Sequence, residues 1–172
     1  MTEKSKNILI TGLPGSGKTT LIKKLIESLA DRELSGFYTA EIRTGSNRVG
    51  FELIDLSGFH RVLAHVDINS GFRVAKYQID VAGFEEYLVS ANLVEVKAGL
   101  IIIDEIGKME CLSPLFRKTI AGLLDSPKPL VATIARKGGG LIAEIKKRSD
   151  ITLIELTSAN RDRLPAEIAA RL

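Results

Sequence analysis

The sequence predicts an α/β fold, a mainly parallel sheet flanked by helices with an antiparallel β insert at about 35–81. Three observations predict it. Asn7-Ile8-Leu9-Ile10-Thr11 is a short apolar run that leads through glycines into Leu21, Ile22, Leu25, Ile26 and Leu29 at helical spacing. Strand and helix textures then alternate through the second half of the chain, the order that builds a parallel sheet. Between these regions, residues 35–81 alternate with period two and are punctuated by turn residues, as hairpins are.

Each element follows from a local pattern. Lys23, Lys24 and Glu27 lie between the apolar positions of the first helix, which should begin at about Lys18. Gly36 to Arg43 alternates as a strand, Thr44-Gly45-Ser46-Asn47 supplies a turn, and Val49 to Leu56 alternates again up to Ser57-Gly58. Leu63 to Tyr77, broken at Asn69-Ser70-Gly71, reads as short strand and loop. Phe84 to Lys97 predicts a helix with Phe84, Tyr87, Leu88, Ala91 and Val94 on one face. Gly99 to Asp104 is a continuous apolar run ending in acid, which suits a central parallel strand. Ser113-Pro114 caps and opens a helix to about Leu124. Pro129 to Ala135 predicts a strand, Leu141 to Lys147 a short helix, Ile151 to Leu156 a strand, and Asn160 to Leu172 an amphipathic helix.

Composition sets the bounds. The 172 residues suit a single domain, 1–172, and 45% hydrophobic with 26% charged residues is ordinary for a globular protein. A net charge of +3 is too weak to argue for nucleic acid. The lone Cys111 excludes an intramolecular disulfide and suits a reducing cytoplasm; with neither histidine near it in sequence, it reads as a packing thiol. No apolar run approaches the roughly 20 residues needed to span a bilayer. The lead Met1-Thr2-Glu3-Lys4-Ser5-Lys6 is polar, without a signal region, so the expected location is the cytoplasm. His60 and His65, five apart in a β region, should point to opposite faces and are poor metal ligands.

The chemistry lies where the first strand meets the first helix. Gly12-Leu13-Pro14-Gly15-Ser16-Gly17-Lys18-Thr19 fits G-x-x-x-x-G-K-[ST] at every fixed position, and Thr20 follows. Such a loop wraps an anion with backbone N–H groups that a side chain would obstruct. Lys18 is suited to reach the β- and γ-phosphates, the Thr19 hydroxyl to ligate Mg²⁺, and the helix start to face the same anion. Asp104, at the end of a buried strand, is placed to hold the metal or its water shell. Glu105 beside it is suited to orient and deprotonate an attacking water. That acid favours hydrolysis, since a kinase must instead hold an acceptor hydroxyl. Arg136 should emerge at the same sheet edge, followed by Lys137 and Gly138-Gly139-Gly140, and is the candidate transition-state cation. Arg43, Arg48, Arg73 and Lys76 compete for that role, each equally readable as a solvated surface charge. Thr133 is a candidate sensor of the attacking water.

Beyond the loop, several phrases resemble one family, the small cytosolic nucleoside-triphosphatases of the thermophile and cancer-related type. They are Gly36-Phe37-Tyr38-Thr39 with Glu41-Ile42-Arg43, Arg48-Val49-Gly50-Phe51, Phe72-Arg73-Val74 with Tyr77 and Asp80, Ile103-Asp104-Glu105-Ile106-Gly107-Lys108-Met109-Glu110, and Asn160-Arg161-Asp162. One departure is Ala75, where the resemblance expects glycine. The resemblance implies a RecA- or AAA-like P-loop NTPase fold and slow, Mg²⁺-dependent hydrolysis of ATP, GTP and other nucleoside triphosphates. It further implies two nucleotide-binding segments, Gly12–Thr19 and Leu100-Ile101-Ile102-Ile103-Asp104-Glu105-Ile106-Gly107, with Asn160 and Arg161 near the base. Two rivals stay open: a small phosphotransferase with the Arg136–Arg148 segment as its lid, and a nucleotide-switched binding module.

Overall fold

The computed structural model describes residues 5–172; Met1-Thr2-Glu3-Lys4 of the polar lead lie outside the described residues. Among the described residues nine strands form one sheet: β1 (Asn7–Gly12), β2 (Leu34–Thr44), β3 (Asn47–Asp55), β4 (His60–His65), β5 (Arg73–Val74), β6 (Tyr77–Ile79), β7 (Leu100–Ile106), β8 (Leu130–Ile134) and β9 (Ile151–Leu156). Their order is β5-β6-β4-β3-β2-β7-β8-β1-β9. The five strands from β2 to β9 run parallel, and the remaining pairings are antiparallel.

The helices are α1 (Lys18–Ser28), α2 (Val81–Ala91), α3 (Pro114–Asp125), α4 (Leu141–Lys146) and α5 (Leu164–Ala169). Side-chain alternation along the strands divides them between two faces. Ile8, Ile10, Leu100, Ile102 and Val131 pack with Leu21, Ile22 and Leu25 of α1 and Leu164 and Ile168 of α5. Leu9, Ile101, Ile103 and Ala132 point the other way, against α2, α3 and α4. Phe37 anchors that second layer, meeting Phe84 and Tyr87 edge-on at 5.9 and 5.7 Å between ring centroids. A strand buried on both faces must be apolar throughout, and this is why Leu100–Ile103 carries no alternation.

The antiparallel insert is present but forms no separate layer. Its first strand belongs to the core: Leu34–Phe37 pairs with Leu100–Ile103 of β7, and β2 then outruns that partner and continues to Thr44 against β3 alone. The β2–β3 hairpin therefore projects past the carboxyl edge of the parallel strands. At Gly36 (φ 125) the approach to β7 is so close that a Cβ would lie 1.8 Å from the Ile102 carbonyl oxygen. Ala75, the departure from the expected glycine, has φ 53 in the two-residue turn joining β5 and β6. The position does call for a left-handed residue, and alanine occupies it at a conformational cost.

Two helices differ from the expected spans. Asp80 caps α2 by accepting from the Gly83 N–H at 3.0 Å, and Asn92, at φ 42, caps its end at Ala91, short of Lys97. The segment from Asn160 to Arg163 is turn, so the last helix spans only Leu164–Ala169, with Pro165 in its first turn. Among the described residues, no helix is long and apolar enough to cross a membrane.

Candidate active site

β1 is buried along its whole length and stops at Gly12, so the chain leaves the sheet where backbone groups become free. The loop closes on itself through the Ser16 N–H to the Leu13 carbonyl at 3.1 Å. Gly15 (φ 74) and Gly17 (φ 97) take left-handed conformations that turn the chain into α1, with Gly17 as the N-terminal cap. The first turn of α1 carries no acidic residue, so its positive end stays uncompensated. Lys18 folds back over the loop, its Nζ donating to the Gly12 and Leu13 carbonyls at 3.2 Å each. The Ser16 hydroxyl is buried there without a hydrogen-bond partner.

Asp104 binds this loop to the sheet. It is 1% exposed, yet its carboxylate faces hydroxyls from three elements. Oδ2 accepts from Thr19 Oγ1 of α1 at 2.6 Å and from Thr39 Oγ1 of β2 at 3.4 Å, and Oδ1 accepts from Thr133 Oγ1 of β8 at 2.7 Å. Carboxylate oxygens beside hydroxyl oxygens, with Thr19 at hand, are a donor set for a hard divalent cation. Among the described residues there is no His/Cys/Asp/Glu cluster of three or more that could hold a metal. A Mg²⁺ site of one or two protein oxygens completed by water and substrate phosphates needs none, so the residues fit that ion.

Glu105 is aimed by a β-bulge. The pairing of β7 with β8 shifts between Ile103↔Ala132 and Ile106↔Ile134, three steps on one strand against two on the other. Bulges re-aim side chains beside active sites in this way. Within it Glu105 adopts φ 135, a conformation that non-glycine residues hold only when their surroundings enforce it. Its carboxyl is pushed above the ordinary range by burial and by the Asp104 charge, with Lys18 pulling the other way. Lys18, Thr19, Asp104 and Glu105 thus converge at one edge of the sheet.

The other expected residues divide. Leu100, Ile101, Ile102 and Ile103 are buried in the two cores, so they support Asp104 rather than line the site. Arg136 does leave β8 at this edge, but it is paired with Glu155 of β9 at 3.5 Å, both side chains about half exposed. Lys146 supports its loop, Nζ donating to the Ala135 and Arg136 carbonyls at 2.6 and 2.7 Å. The glycine triplet behind it is not uniformly free: a Cβ on Gly138 would lie 2.6 Å from Ile142 Cδ1. Asn160 is spent on the backbone, accepting from the Thr157 N–H and donating to the Glu155 carbonyl, both at 2.8 Å. Each end of its amide has one backbone partner, and Arg161 is exposed beside Asp162 at 4.0 Å.

The insert arginines are engaged with their own hairpins. Arg43 and Arg48 both bind Glu41, and Arg48 also donates to the Tyr77 hydroxyl at 2.9 Å while covering the Phe51 ring. Arg73 donates to the Ala75 carbonyl. Cys111 packs against the core, its thiol pushed up to about 11 chiefly by burial and then by Glu110, which suits packing and not nucleophilic attack. Thr133, expected as a sensor of water, donates to Asp104 and so orients that side chain.

Two residues of the site escaped the sequence reading. Thr39 reaches Asp104 only because β2 overshoots the sheet edge. Glu110, on a 3₁₀ turn (Glu110–Leu112) after β7, is 5% exposed. Its carboxyl is raised to about 8, by burial first and the Glu105 charge second. Their only sequence signals were their places in the Gly36–Thr39 and Asp104–Glu110 phrases.

Comparison with known proteins identifies the family and the fold. The model of a family described as NTPase matches residues 7–169. The chain is 45% identical over 166 residues to "Nucleoside-triphosphatase THEP1" of Thermotoga maritima, covering 96% of this chain and 94% of that protein. It is 34% identical to the human "Cancer-related nucleoside-triphosphatase", covering 95% of each. The crystal structure of THEP1 from Aquifex aeolicus superposes with a TM-score of 0.84 at 37% identity, over 94% of this chain and 96% of that one. The solution structure of the human protein gives 0.80 at 33% identity, over 95% of each. With the fold, the phosphate loop and nearly the whole length in common, the chain belongs to the NTPase family.

Proposed function

We propose that the protein hydrolyses nucleoside 5′-triphosphates to nucleoside diphosphate and phosphate, with Mg²⁺ and with broad tolerance of the base. The observation that carries this reading is the 2.6 Å hydrogen bond from Thr19 to Asp104, which joins the anion loop to the acid strand beside Glu105. The relatives' names, nucleoside-triphosphatase in each case, agree with it.

The residues divide the work. Loop amides and the start of α1 hold the phosphates, and Lys18 exchanges its two carbonyl partners for β- and γ-phosphate oxygens. Thr19 and Asp104 are the protein oxygens that would hold Mg²⁺, which when bound neutralises charge on the β- and γ-phosphates. Glu105 aligns and deprotonates water for attack on the γ-phosphorus. Arg136, released from Glu155, offsets charge developing on the transferred phosphoryl group. These groups all address phosphate, metal and water, which supports shallow base selectivity.

The test is phosphate release from ATP, GTP, CTP and UTP, with and without added nucleosides or polynucleotides. Acceptor-independent release is expected. Strict dependence on an acceptor would replace hydrolysis by phosphotransfer. A kcat/KM for one nucleotide exceeding the others by more than about 10³ would end the broad-tolerance reading, since buried base-specific bonds give that discrimination.

A further inference from the structure

The loop after the acid strand buries a second carboxyl that the proposed reaction leaves without a task. Gly107 accepts from the Cys111 N–H at 3.0 Å, closing a tight turn that brings Glu110 back under Glu105. A Cβ at Gly107 would lie 2.9 Å from Glu110 Oε2, 2.9 Å from Glu105 Cγ and 3.0 Å from Glu105 Oε1. Both side chains therefore occupy the space that a Cβ on Gly107 would need. No cation makes an ion pair with Glu110 among the described residues, although burying a carboxyl is costly. Glu105 meanwhile needs an external constraint, because its φ of 135 is not one its own backbone favours.

We propose that Glu110 is a positioning residue, which together with Gly107 fixes the backbone and rotamer of Glu105 so that the Glu105 carboxyl faces the attacking water. This rests on the reading of Glu105 as the water-activating acid. Glu110 touches neither nucleotide nor metal in this account and acts only through Glu105. Removing its carboxyl frees Glu105 to turn away, while a methyl at Gly107 pushes Glu105 away with Glu110 still present. Both changes should give the same kinetic signature.

The experiment is single-turnover and steady-state hydrolysis of ATP by Glu110→Ala, Glu110→Gln, Gly107→Ala, Glu105→Gln and the double variant Glu105→Gln/Glu110→Ala, with nucleotide affinity measured in parallel. Glu110→Ala and Gly107→Ala are expected to lower kcat by about 10- to 100-fold with KM and affinity unchanged, an effect confined to the chemical step. Glu110→Gln, which keeps length and hydrogen-bonding capacity, should recover most of that loss. In the double variant the Glu110 change should cost nothing further, because residues acting as one unit are non-additive. Wild-type kcat in folded Glu110→Ala, or an equal further loss in the double variant, overturns the inference while leaving Glu105 its role. Should Glu110→Ala fail to fold, Gly107→Ala decides by the same criteria. Normal turnover by Glu105→Gln overturns the role of Glu105 and this inference together.

Discussion

Thr19 and Asp104 lie 85 positions apart in the chain, and their side chains meet at 2.6 Å. Thr19 lies in the first turn of the helix after the phosphate loop and Asp104 in the carboxyl half of the central strand, so their meeting fixes the loop relative to the acid pair. Asp104→Ala removes the acceptor for Thr19, Thr39 and Thr133 at once. Titrating the variant with Mg²⁺ at fixed nucleotide should show at least tenfold weaker metal dependence; an unchanged Mg²⁺ midpoint would count against Asp104 as a ligand.

Glu105→Gln should keep its shape and Mg²⁺-nucleotide affinity while kcat falls by roughly 10²–10⁴, the range for a lost general base. Parallel losses of binding and turnover would assign Glu105 to the metal instead. Stopped-flow phosphate release with equilibrium nucleotide titration separates the two.

Arg136→Ala should lower kcat by about 10² or more with little change in ground-state affinity, as for an interaction made mainly in the transition state. The pairing with Glu155 is half exposed and correspondingly weak, so Arg136 is available to a stronger anion. Arg48→Ala serves as the comparison. Its partners Glu41, Tyr77 and Phe51 lie within the insert, and its loss should appear in thermal melting, at about 1 kcal/mol, rather than in kcat. A normal Arg136→Ala beside a slow Arg43, Arg48 or Arg73 variant would move the stabilising cation to the insert.

Glu110 makes stability depend on pH in a definite direction. A carboxyl raised from 4.5 to about 8 is favoured in its neutral form by the fold. Its contribution is fully present below about pH 4.5 and is lost as pH rises through about 8. Relative to the wild type, Glu110→Gln should therefore gain stability across that window, by on the order of a few kcal/mol at its upper end. Urea unfolding of both proteins between pH 5 and 9 measures the difference. Parallel pH profiles would show that Glu110 does not carry it.

The phosphate loop was legible from its glycine motif, α1 from helical spacing, β7 from a continuous apolar run after Gly99, and β9 from a short local run. The insert was legible as hairpins, but its place in the sheet was not: pairing of Leu34–Phe37 with Leu100–Ile103 is a long-range choice that no local pattern announces. The late start of α5 was signalled by Pro165 in its first turn, a stronger marker than the apolar spacing before it. In the site, Lys18, Thr19, Asp104 and Glu105 declared themselves by motif. Thr39 and Glu110 did not, because their roles arise from a strand overshooting its neighbour and from a turn closing at Gly107.

The most direct test of nucleotide hydrolysis at this edge of the sheet is acceptor-free phosphate release by Lys18→Ala. Lys18 is a flexible cation placed over the loop, held now by the Gly12 and Leu13 carbonyls. Its removal should abolish release and weaken triphosphate binding, with the fold intact by circular dichroism. Near-normal turnover by the folded Lys18→Ala protein would contradict the account at its centre.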